Sequence, residues 1–456
     1  MNVNDYIHNV SGETPYSDVL KQVQNFVSRE CPSLINKDNM TNDDTYNLRK
    51  HIENFITSYN IKCKDAESID DVVTKVYNDM VGFSFLTDYL SDKKVKEMGI
   101  EEINVNSWDC IYLKTKNGKI KIPETFNTPQ HAIDIVQRIL RRSGSTIDNA
   151  MPMCLGQVKK NVRIAAIKAP VLDEEVGIAV SIRIVNFSEL TDKDLIDNGT
   201  ANEDMINCLL MFLKSKTSIV ICGETGCGKT GTIGMLLDLV TQDDTYRVLT
   251  VEEGSRELNL VKRDENGNVI NDVVHMITRP SELEKYNIDQ DYILEFLLRF
   301  DGDIIGAGEM RSKESFTVAE ASTTNHTTIT TVHALSAEDA YSRMVVLAKK
   351  AHSYDDKTLY NMMIKAFPII CFQEFFPDGS RKITKIIEGL GLNADNTIRY
   401  NTLWEYEVSN IYWDNEDKIH VQGQFIKKDN LSEKRYKLIS SRGTDKKLLE
   451  YLFGRR

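Results

Sequence analysis

The stretch SIVICGETGCGKT, residues 218–230, constrains the fold more than any other part of this 456-residue chain. A short apolar segment runs into the pattern G-x-x-x-x-G-K-T, and KTGTIGMLLDLV then continues as an apolar helix. Glycines at positions 223, 226 and 228 let the backbone turn tightly and aim its N–H groups at one point. Strand, glycine loop and helix in this order predict a phosphate-binding loop in a parallel α/β domain.

The residue types in this loop predict a nucleotide ligand. The helix that starts near Lys229 offers the positive end of its dipole to an anion. Lys229 is expected to reach the β- and γ-phosphates, and the Thr230 hydroxyl can ligate Mg²⁺. Gly231 and Gly234 count against the motif, because glycine lowers helix propensity in these first turns. We therefore expect ATP and Mg²⁺, held by Gly223, Glu224, Thr225, Gly226, Cys227, Gly228, Lys229 and Thr230.

Acidic residues end two further apolar segments. RVLTVEEGSREL (247–258) places Glu252 and Glu253 at the end of one predicted strand. RFDGDIIGAGEMR (299–311) places Glu309 and Arg311 at the end of another. Chemistry in an open parallel sheet collects at the carboxyl ends of its strands, and a nucleotide hydrolase needs acids there to hold the metal and polarise water. A solvated loop carboxylate remains the alternative for either glutamate taken alone.

The segment TTNHTTITTVHA (323–334) contains two histidines on a threonine-rich strand pattern. His326 and His333 can be metal ligands, ordinary strand residues or part of a phosphate-handling site. A zinc site needs more ligands than two histidines, and no cysteine or third histidine lies close in sequence. The β-branched core TTITTV predicts a strand next to the one that carries Glu309, with His326 entering it and His333 leaving it toward the nucleotide.

The order of predicted elements indicates an α/β fold with several regions. Strands alternate with helices after residue 205, which predicts a mainly parallel sheet covered on both faces. The preceding residues show mixed patterns, with a hairpin signal at Asn117-Gly118 and a helix over 129–144. Ser336 to Asp339 has capping-box spacing. The predicted regions are a helical N-terminal region (1–95), a smaller α+β domain (96–188), a linker (189–204), a phosphate-loop ATPase domain (205–390) and a β-rich extension (391–456).

Composition narrows the functional classes. The formal net charge is -12, which argues against a protein that coats nucleic acid, so no direct nucleic-acid binding is expected. The first residues do not resemble a signal peptide, and no apolar run approaches the roughly 20 residues needed to cross a bilayer. The eight cysteines include no CxxC pair, as expected for free thiols in a reducing cytosol. These features predict a cytoplasmic protein.

Four blocks in a fixed order resemble the type II/IV secretion-system ATPases, which form hexameric rings that drive secretion, pilus assembly or conjugation. They are the loop GETGCGKT, the acidic "Asp box" VEEGSREL, the Walker B segment RFDGDIIGAGEMR and the "His box" TTNHTTITTVHALSAEDA. The resemblance covers about residues 100–450 and is closest to the CpaF-like branch, associated with tight-adherence pili. It implies a RecA-like ATPase domain, a homo-hexamer and inner-membrane platform proteins as partners at the cytoplasmic face of the membrane.

The resemblance also implies residue roles. Lys229 and Thr230 would bind phosphate and Mg²⁺, and Glu252 would help to place the metal or the water. Glu309 would be the general base or water-orienting residue, with Arg311 in the same catalytic group.

Further roles fall on both sides of the phosphate loop. His326 and His333 would sense the γ-phosphate or relay its loss to a neighbouring subunit. Arg163 and Arg183 match arginines that approach the γ-phosphate in relatives, where a cation stabilises developing charge. From composition alone they would be surface arginines of a β-domain.

Several residues depart from the family's usual sequence without removing a phosphate ligand. They are Glu224, Cys227, Glu253, Gly302 in place of proline, Gly306 and Ala307. There are two alternatives to a Mg²⁺-dependent ATPase motor, and these departures motivate the first of them. One is a nucleotide-gated scaffold that hydrolyses little ATP, and the other is a DNA-translocating ATPase, which the acidic composition disfavours.

Overall fold

The computed structural model describes residues 14–31, 41–64, 66–115, 118–159, 161–184, 190–242, 245–254, 256–279, 284–324, 326–415 and 417–454. The predicted start of the N-terminal region, the turn residue Asn117 and the boundary at 188–189 lie outside these residues. The chain forms two compact units, Met1–Asn186 and Phe187–Arg456. Within the described ranges, no helix is long and apolar enough to cross a membrane.

The first unit begins with helices α1 (Tyr16–Glu30), α2 (Asn42–Ser58) and α3 (Ile69–Met80). Each buries one apolar stripe in a shared core, as four-residue spacing requires; the stripes include Val19, Val23 and Val27 of α1 and Leu48, Ile52 and Ile56 of α2. Helix α3 ends at Met80, and Ser84 shortly after it has a left-handed φ of 55°, which interrupts the predicted helical region. Two short helices follow, α4 (Leu86–Tyr89) and α5 (Asp92–Met98).

An antiparallel sheet and one helix complete this unit. The strands are β1 (Ile100–Ser107), β2 (Cys110–Thr115), β3 (Gly118–Lys121), β4 (Met153–Lys159), β5 (Val162–Lys168) and β6 (Ile178–Ile184), in the order β3-β2-β1-β6-β5-β4. Helix α6 (Pro129–Arg142) packs its apolar face on one side of the sheet. Strand β6 alternates buried apolar residues with less buried ones, including exposed Ser181 and Arg183, so the other face of the sheet carries polar residues there.

The second unit is built on a larger sheet. Its strands are β7 (Ile219–Cys222), β8 (Val248–Glu252), β9 (Val273–Ile277), β10 (Ile304–Ala307), β11 (Thr327–Val332), β12 (Ile369–Phe375), β13 (Arg381–Leu392), β14 (Ile398–Trp413) and β15 (Ile419–Lys427). They lie in the order β15-β14-β13-β12-β7-β11-β10-β8-β9. Pairing is parallel from β12 to β9 and antiparallel from β12 to β15. The predicted α/β fold with a largely parallel sheet is confirmed.

Helices cover both faces of this sheet and bury a separate core on each. They are α7 (Asp192–Asp197), α8 (Glu203–Lys214), α9 (Lys229–Val240), α10 (Gln290–Leu297), α11 (Glu314–Thr323), α12 (Asp339–Ala348), α13 (Asp356–Ala366), α14 (Glu433–Ser440) and α15 (Lys446–Phe453). Strand β10 carries a glycine at position 306 for a packing reason. A Cβ there would lie 2.8 Å from Leu237 Cδ1, so glycine lets α9 approach the strand.

The C-terminal part differs from the sequence-based expectation. Strands β13, β14 and β15 extend the main sheet, and the expected boundary at 390–391 falls inside β13. Helices α14 and α15 follow these strands, where the sequence predicts a β-rich extension. Buried Glu388 on β13 holds α14, because its carboxylate accepts hydrogen bonds from the backbone N–H and the hydroxyl of Ser432 at 2.7 Å each.

Glu338, just before α12, pairs with Lys385 on β13 at 2.7 Å. Burial alone would raise the pKa of Glu338, but hydrogen bonds from Lys385 and Tyr400 lower it to about 2, against 4.5 ordinarily. A depressed pKa stabilises the folded state above pH 4.5, and this contribution is lost as the pH falls toward 2. We expect Glu338→Gln to cost about 1–2 kcal/mol at pH 7, reduced for partial solvent screening.

Denaturant unfolding at pH 7 and pH 3 measures this contribution. The destabilisation by Glu338→Gln should be clearly smaller at pH 3. Glu433→Gln is the matched control, because Glu433 pairs with Lys437 on an exposed helix surface. An equal loss at both pH values would show that the ion pair is not the cause.

Candidate active site

The phosphate loop joins β7 to α9, where the sequence predicts it. Its glycines have positive φ angles, 147° at Gly223 and 96° at Gly228. A Cβ on Gly223 would lie 2.0 Å from the Gln373 carbonyl oxygen, which leaves no room for another residue. Helix α9 starts directly at Lys229, with Gly228 as its N-cap residue. The loop therefore forms a tight backbone cradle at a helix N-terminus, as an anion site requires.

Two residues from distant segments fix this loop, and the sequence did not single them out. Gln373 on β12 donates from Nε2 to the Cys227 carbonyl at 2.7 Å and accepts from the Thr232 hydroxyl at 2.9 Å. Arg381 at the start of β13 donates from Nε to the Gly226 carbonyl at 3.0 Å. The signal available in the sequence for Gln373 was a polar residue within the otherwise apolar strand pattern IICFQEF. Nothing in the local sequence marks Arg381.

Lys229 is buried inside the loop that it is expected to serve. Its Nζ donates to the carbonyls of Gly223 at 3.0 Å and Glu224 at 2.8 Å. It also lies 3.4 Å from Nδ1 of His333. These partners satisfy the ammonium group, so an anion at this place competes with two carbonyls and an imidazole.

A continuous line of polar contacts runs from Lys229 across the ends of three strands. Nε2 of His333 lies 3.1 Å from Oε1 of Glu309. Oε2 of Glu309 lies 2.7 Å from Nη2 of Arg311. Nη1 of Arg311 donates to Oε2 of Glu253 at 3.0 Å. The hydrogen bond to Glu309 raises the pKa of Arg311 above its ordinary value, with the nearby charges of Glu309 and Glu253 adding to it.

The partners of His333 assign its protons. The Lys229 ammonium can only donate, so Nδ1 of His333 accepts. The Glu309 carboxylate accepts, so Nε2 carries the proton. His333 therefore connects the lysine of the phosphate loop to the acid of the neighbouring strand in one defined tautomer.

Backbone contacts hold the segment after β10 in place. The Met310 N–H donates to the Thr331 carbonyl at 2.8 Å, and the Thr331 hydroxyl donates to the Gly308 carbonyl at 2.8 Å. Glu309 lies between these two anchors on the side of β11. Its position beside His333 is thus set by the parallel pairing of β10 with β11.

Glu252 lies at the end of β8 and is buried. Its Oε1 accepts hydrogen bonds from the N–H groups of Glu257 at 2.7 Å and Leu258 at 3.1 Å. These bonds use the carboxylate to shape the segment that follows β8. A role for Glu252 toward a metal stays a prediction.

The structure places one predicted residue of the second unit, His326, away from this centre. His326 lies at the amino end of β11, where its Nδ1 is 2.8 Å from the Gly302 carbonyl oxygen. Seven residues along a strand span about 23 Å, so His326 and His333 lie at opposite ends of β11. Arg163 and Arg183 are directly opposite each other on β5 and β6 of the first unit, with Glu102 next in the row.

Cavities open on both sides of the phosphate loop. One of about 600 Å³ is lined by loop residues Gly223, Glu224 and Thr225, by His333, and by α12. The other, of about 540 Å³, is lined by Gly228, Gly231, Thr232, Gln373, Arg381 and the segment that contains α7. A Cβ on Gly231 would lie 3.4 Å from Leu190 Cδ2, an ordinary van der Waals distance, so Leu190 forms part of this second wall. The loop is therefore reachable from two directions.

The donor set excludes some metal sites and fits others. Over the described ranges, no group of three or more histidine, cysteine, aspartate or glutamate side chains is placed to hold a metal ion. His326 and His333 flank β11 and lie about 23 Å apart along it, so these two side chains cannot share one zinc ion. Magnesium makes different demands, because it keeps several waters and takes few protein ligands beside substrate phosphates. The Thr230 hydroxyl in the first turn of α9 fits that role.

Comparison with known proteins gives the family. A family model described as Type II/IV secretion system protein matches residues 129–376. An uncharacterised protein of Methanocaldococcus jannaschii is 25% identical over 289 residues, which cover 61% of this chain and 37% of that protein. The type IV secretion system protein VirB11 of Bartonella quintana is 28% identical over 205 residues, which cover 44% of this chain and 54% of that protein.

A solved structure adds a distant likeness. The ATPase DotB of Legionella pneumophila is 17% identical, with 66% of this chain and 80% of that chain covered and a TM-score of 0.46. This chain spans 37% and 54% of the two curated relatives, so it is not matched to them over their full length. The family model covers more than half of the chain, including the phosphate loop, both acidic strand ends and the histidine strand. The chain therefore belongs to the type II/IV secretion system protein family.

Proposed function

We propose that this protein hydrolyses ATP with Mg²⁺ and works as a cytosolic ring motor of a membrane secretion, type IV pilus or conjugation machine. The observation that carries the proposal is the contact line from Lys229 through His333 to Glu309. It joins the lysine of the phosphate loop to a carboxylate after β10, which is separated from β7 by β11, and the water that attacks a terminal phosphate would need to be oriented there.

The two sides of the loop suit two parts of the nucleotide. The 540 Å³ cavity beside the first turn of α9 suits the nucleoside. The 600 Å³ cavity beside Gly223 and His333 suits the terminal phosphate and the attacking water. Lys229 would leave the loop carbonyls for phosphate oxygens, and Glu309 would orient the water. Magnesium would neutralise phosphate charge, with Thr230 as a protein ligand and Glu252 behind it.

The remaining parts of the proposal rest on family membership. Arg163 and Arg183 would stabilise charge on the γ-phosphate. His326 would act in communication between subunits, since it lies away from the phosphate loop of its own chain. We propose that the protein belongs to the CpaF-like branch of the family and assembles as a homo-hexamer. The ring would lie at the cytoplasmic face of the membrane and bind inner-membrane platform proteins.

The test measures the oligomeric size of the protein and its release of phosphate together. Light scattering after size-exclusion is measured with and without ATP and Mg²⁺ while phosphate release is followed. The proposal expects Mg²⁺-dependent phosphate release and a six-subunit species. Absence of phosphate release, even with membrane partners present, would overturn it.

One alternative is favoured by a specific observation. Lys229 is occupied by loop carbonyls, and both oxygens of Glu309 have cationic or N–H partners. A nucleotide-gated scaffold would keep this arrangement and hydrolyse little. Tight ATP binding without phosphate release would support the scaffold.

His333→Ala should lower turnover much more than ATP affinity. The imidazole contacts Glu309 directly, whereas Lys229 keeps two carbonyl partners without it. We expect kcat to fall about 10- to 100-fold, as for other residues that orient a reacting group, with Kd for ATP nearly unchanged. Isothermal titration and phosphate release measure the two effects, and His51→Ala on an exposed helix surface is the control. Equal losses would instead indicate a binding or folding role.

A further inference from the structure

The carboxylate of Glu309 is held from two directions. His333 contacts Oε1 at 3.1 Å, and Arg311 contacts Oε2 at 2.7 Å. The Glu309 side chain is 20% exposed, so its plane is fixed mainly by these two contacts. A carboxylate that orients water needs a defined plane, because a small rotation moves its lone pairs away from the water.

Arg311 starts from a fixed backbone position. The buried carboxylate of Glu314 accepts hydrogen bonds from the N–H groups of Arg311 and of Ser312. Lys350 on the segment after α12 donates to the Arg311 carbonyl at 3.1 Å. The guanidinium therefore extends from an anchored residue, although the side chain itself is 57% exposed.

A second carboxylate holds the far side of the guanidinium. Nη1 of Arg311 bonds to Glu253 while Nη2 bonds to Glu309, so one planar fork joins two acids. Glu253 follows β8, and Glu309 follows β10, its neighbour in the sheet. Glu253 is 58% exposed, so its ion pair with Arg311 is weak and can only steer the guanidinium.

We infer that Glu253 and Arg311 form a positioning brace for Glu309, in which Glu253 acts only through Arg311. This inference rests on the proposed role of Glu309 in orienting water. Arg311, expected from the sequence to be catalytic, is thereby a positioning residue.

Four variants test the brace by steady-state phosphate release: Arg311→Gln, Arg311→Lys, Glu253→Gln and the double variant Glu253→Gln/Arg311→Gln. Arg311→Gln should lower kcat about 10- to 100-fold with KM for ATP nearly unchanged. Glu253→Gln should lower kcat only about two- to fivefold, because its ion pair is exposed. In the double variant the Glu253 effect should vanish, since its intermediary is already gone.

Controls and rescue separate positioning from general damage. Arg311→Lys restores one cationic contact to Glu309 and should recover part of kcat. Arg263→Gln and Glu265→Gln remove an exposed arginine and an exposed acid elsewhere in the same unit and should leave kcat unchanged. Additive losses in the double variant, or a rise in KM that matches the fall in kcat, would overturn the brace.

A readout without hydrolysis keeps the brace separate from the proposed function. A nucleotide-free crystal structure of Arg311→Gln should show the Glu309 carboxylate turned away from Nε2 of His333. An unchanged carboxylate would overturn the brace even if the enzyme is active. If wild-type protein releases no phosphate but the carboxylate turns, the brace stands and the proposed hydrolysis fails.

Discussion

Replacing Lys229 with alanine is expected to abolish ATP hydrolysis and to weaken nucleotide binding about a hundredfold or more. Lys229 is the one basic residue in the loop GETGCGKT, and it is only 7% exposed. A buried, hydrogen-bonded charge pair typically loses this much when one partner is removed. The variant also removes the donor to Nδ1 of His333, so the link to Glu309 is lost as well.

Isothermal titration with ATP and a phosphate-release assay measure the two effects. Lys437→Ala is the control, because Lys437 lies on the exposed surface of α14. The Gly223 and Glu224 carbonyls lose their lysine partner in the alanine variant, so the loop itself can change. Lys229→Met keeps most of the side-chain volume and separates loss of charge from loss of packing. Wild-type hydrolysis in both variants would show that this loop is not the active site.

Local patterns were sufficient for the loop and its flanking elements. The sequence predicts helix 229–240, and α9 has those bounds, because a glycine N-cap and an apolar helix pattern fix both ends. Glycine occupies positions 223 and 228 because the backbone has positive φ angles there, which other residues rarely adopt. Fully buried parallel strands have short apolar runs as their sequence pattern, and this pattern identified β7 and β10.

The two histidines show how strand direction carries functional information. His326 enters β11 and His333 leaves it, so a parallel sheet places only one of them at the carboxyl edge. The contact of His333 with both Lys229 and Glu309 required the order β7-β11-β10, which is a tertiary property. The prediction that TTITTV lies next to the strand carrying Glu309 is confirmed by the pairing of β11 with β10, whereas the position of β7 on the other side of β11 was not predicted.

The residues and helices that the sequence did not predict are held by contacts with residues far away in the chain. Gln373 and Arg381 lie 146 and 155 residues from the loop carbonyls that they bind. Helix α14 has a polar sequence that buries only Ile439, and the contact of Ser432 with buried Glu388 holds it. Local periodicity carries no information about such contacts, because tertiary packing supplies the stabilisation of short helices.

Replacing Glu309 with glutamine should lower kcat about 10²- to 10⁴-fold, the contribution of a positioned acid–base group. Glutamine keeps the size of the side chain and can still accept a hydrogen bond from Nε2 of His333. It loses the negative charge that pairs with Arg311 and that would orient the attacking water. ATP affinity should be kept, because Lys229 and the loop backbone are untouched, in contrast to Lys229→Ala.

Single-turnover hydrolysis and equilibrium nucleotide binding distinguish these effects. The variant should bind ATP with Mg²⁺ and retain it unhydrolysed, and Glu320→Gln at an exposed position on α11 should behave as wild type. Substantial ATP turnover by Glu309→Gln would show that another residue acts as the base. Glu252 would then be the next candidate, although its carboxylate already accepts two backbone N–H groups. The Glu252 carboxylate is used by the backbone of its own loop, whereas Glu309 contacts His333 and Arg311 beside the phosphate-loop lysine, and so we propose Glu309 rather than Glu252 as the acid that orients water.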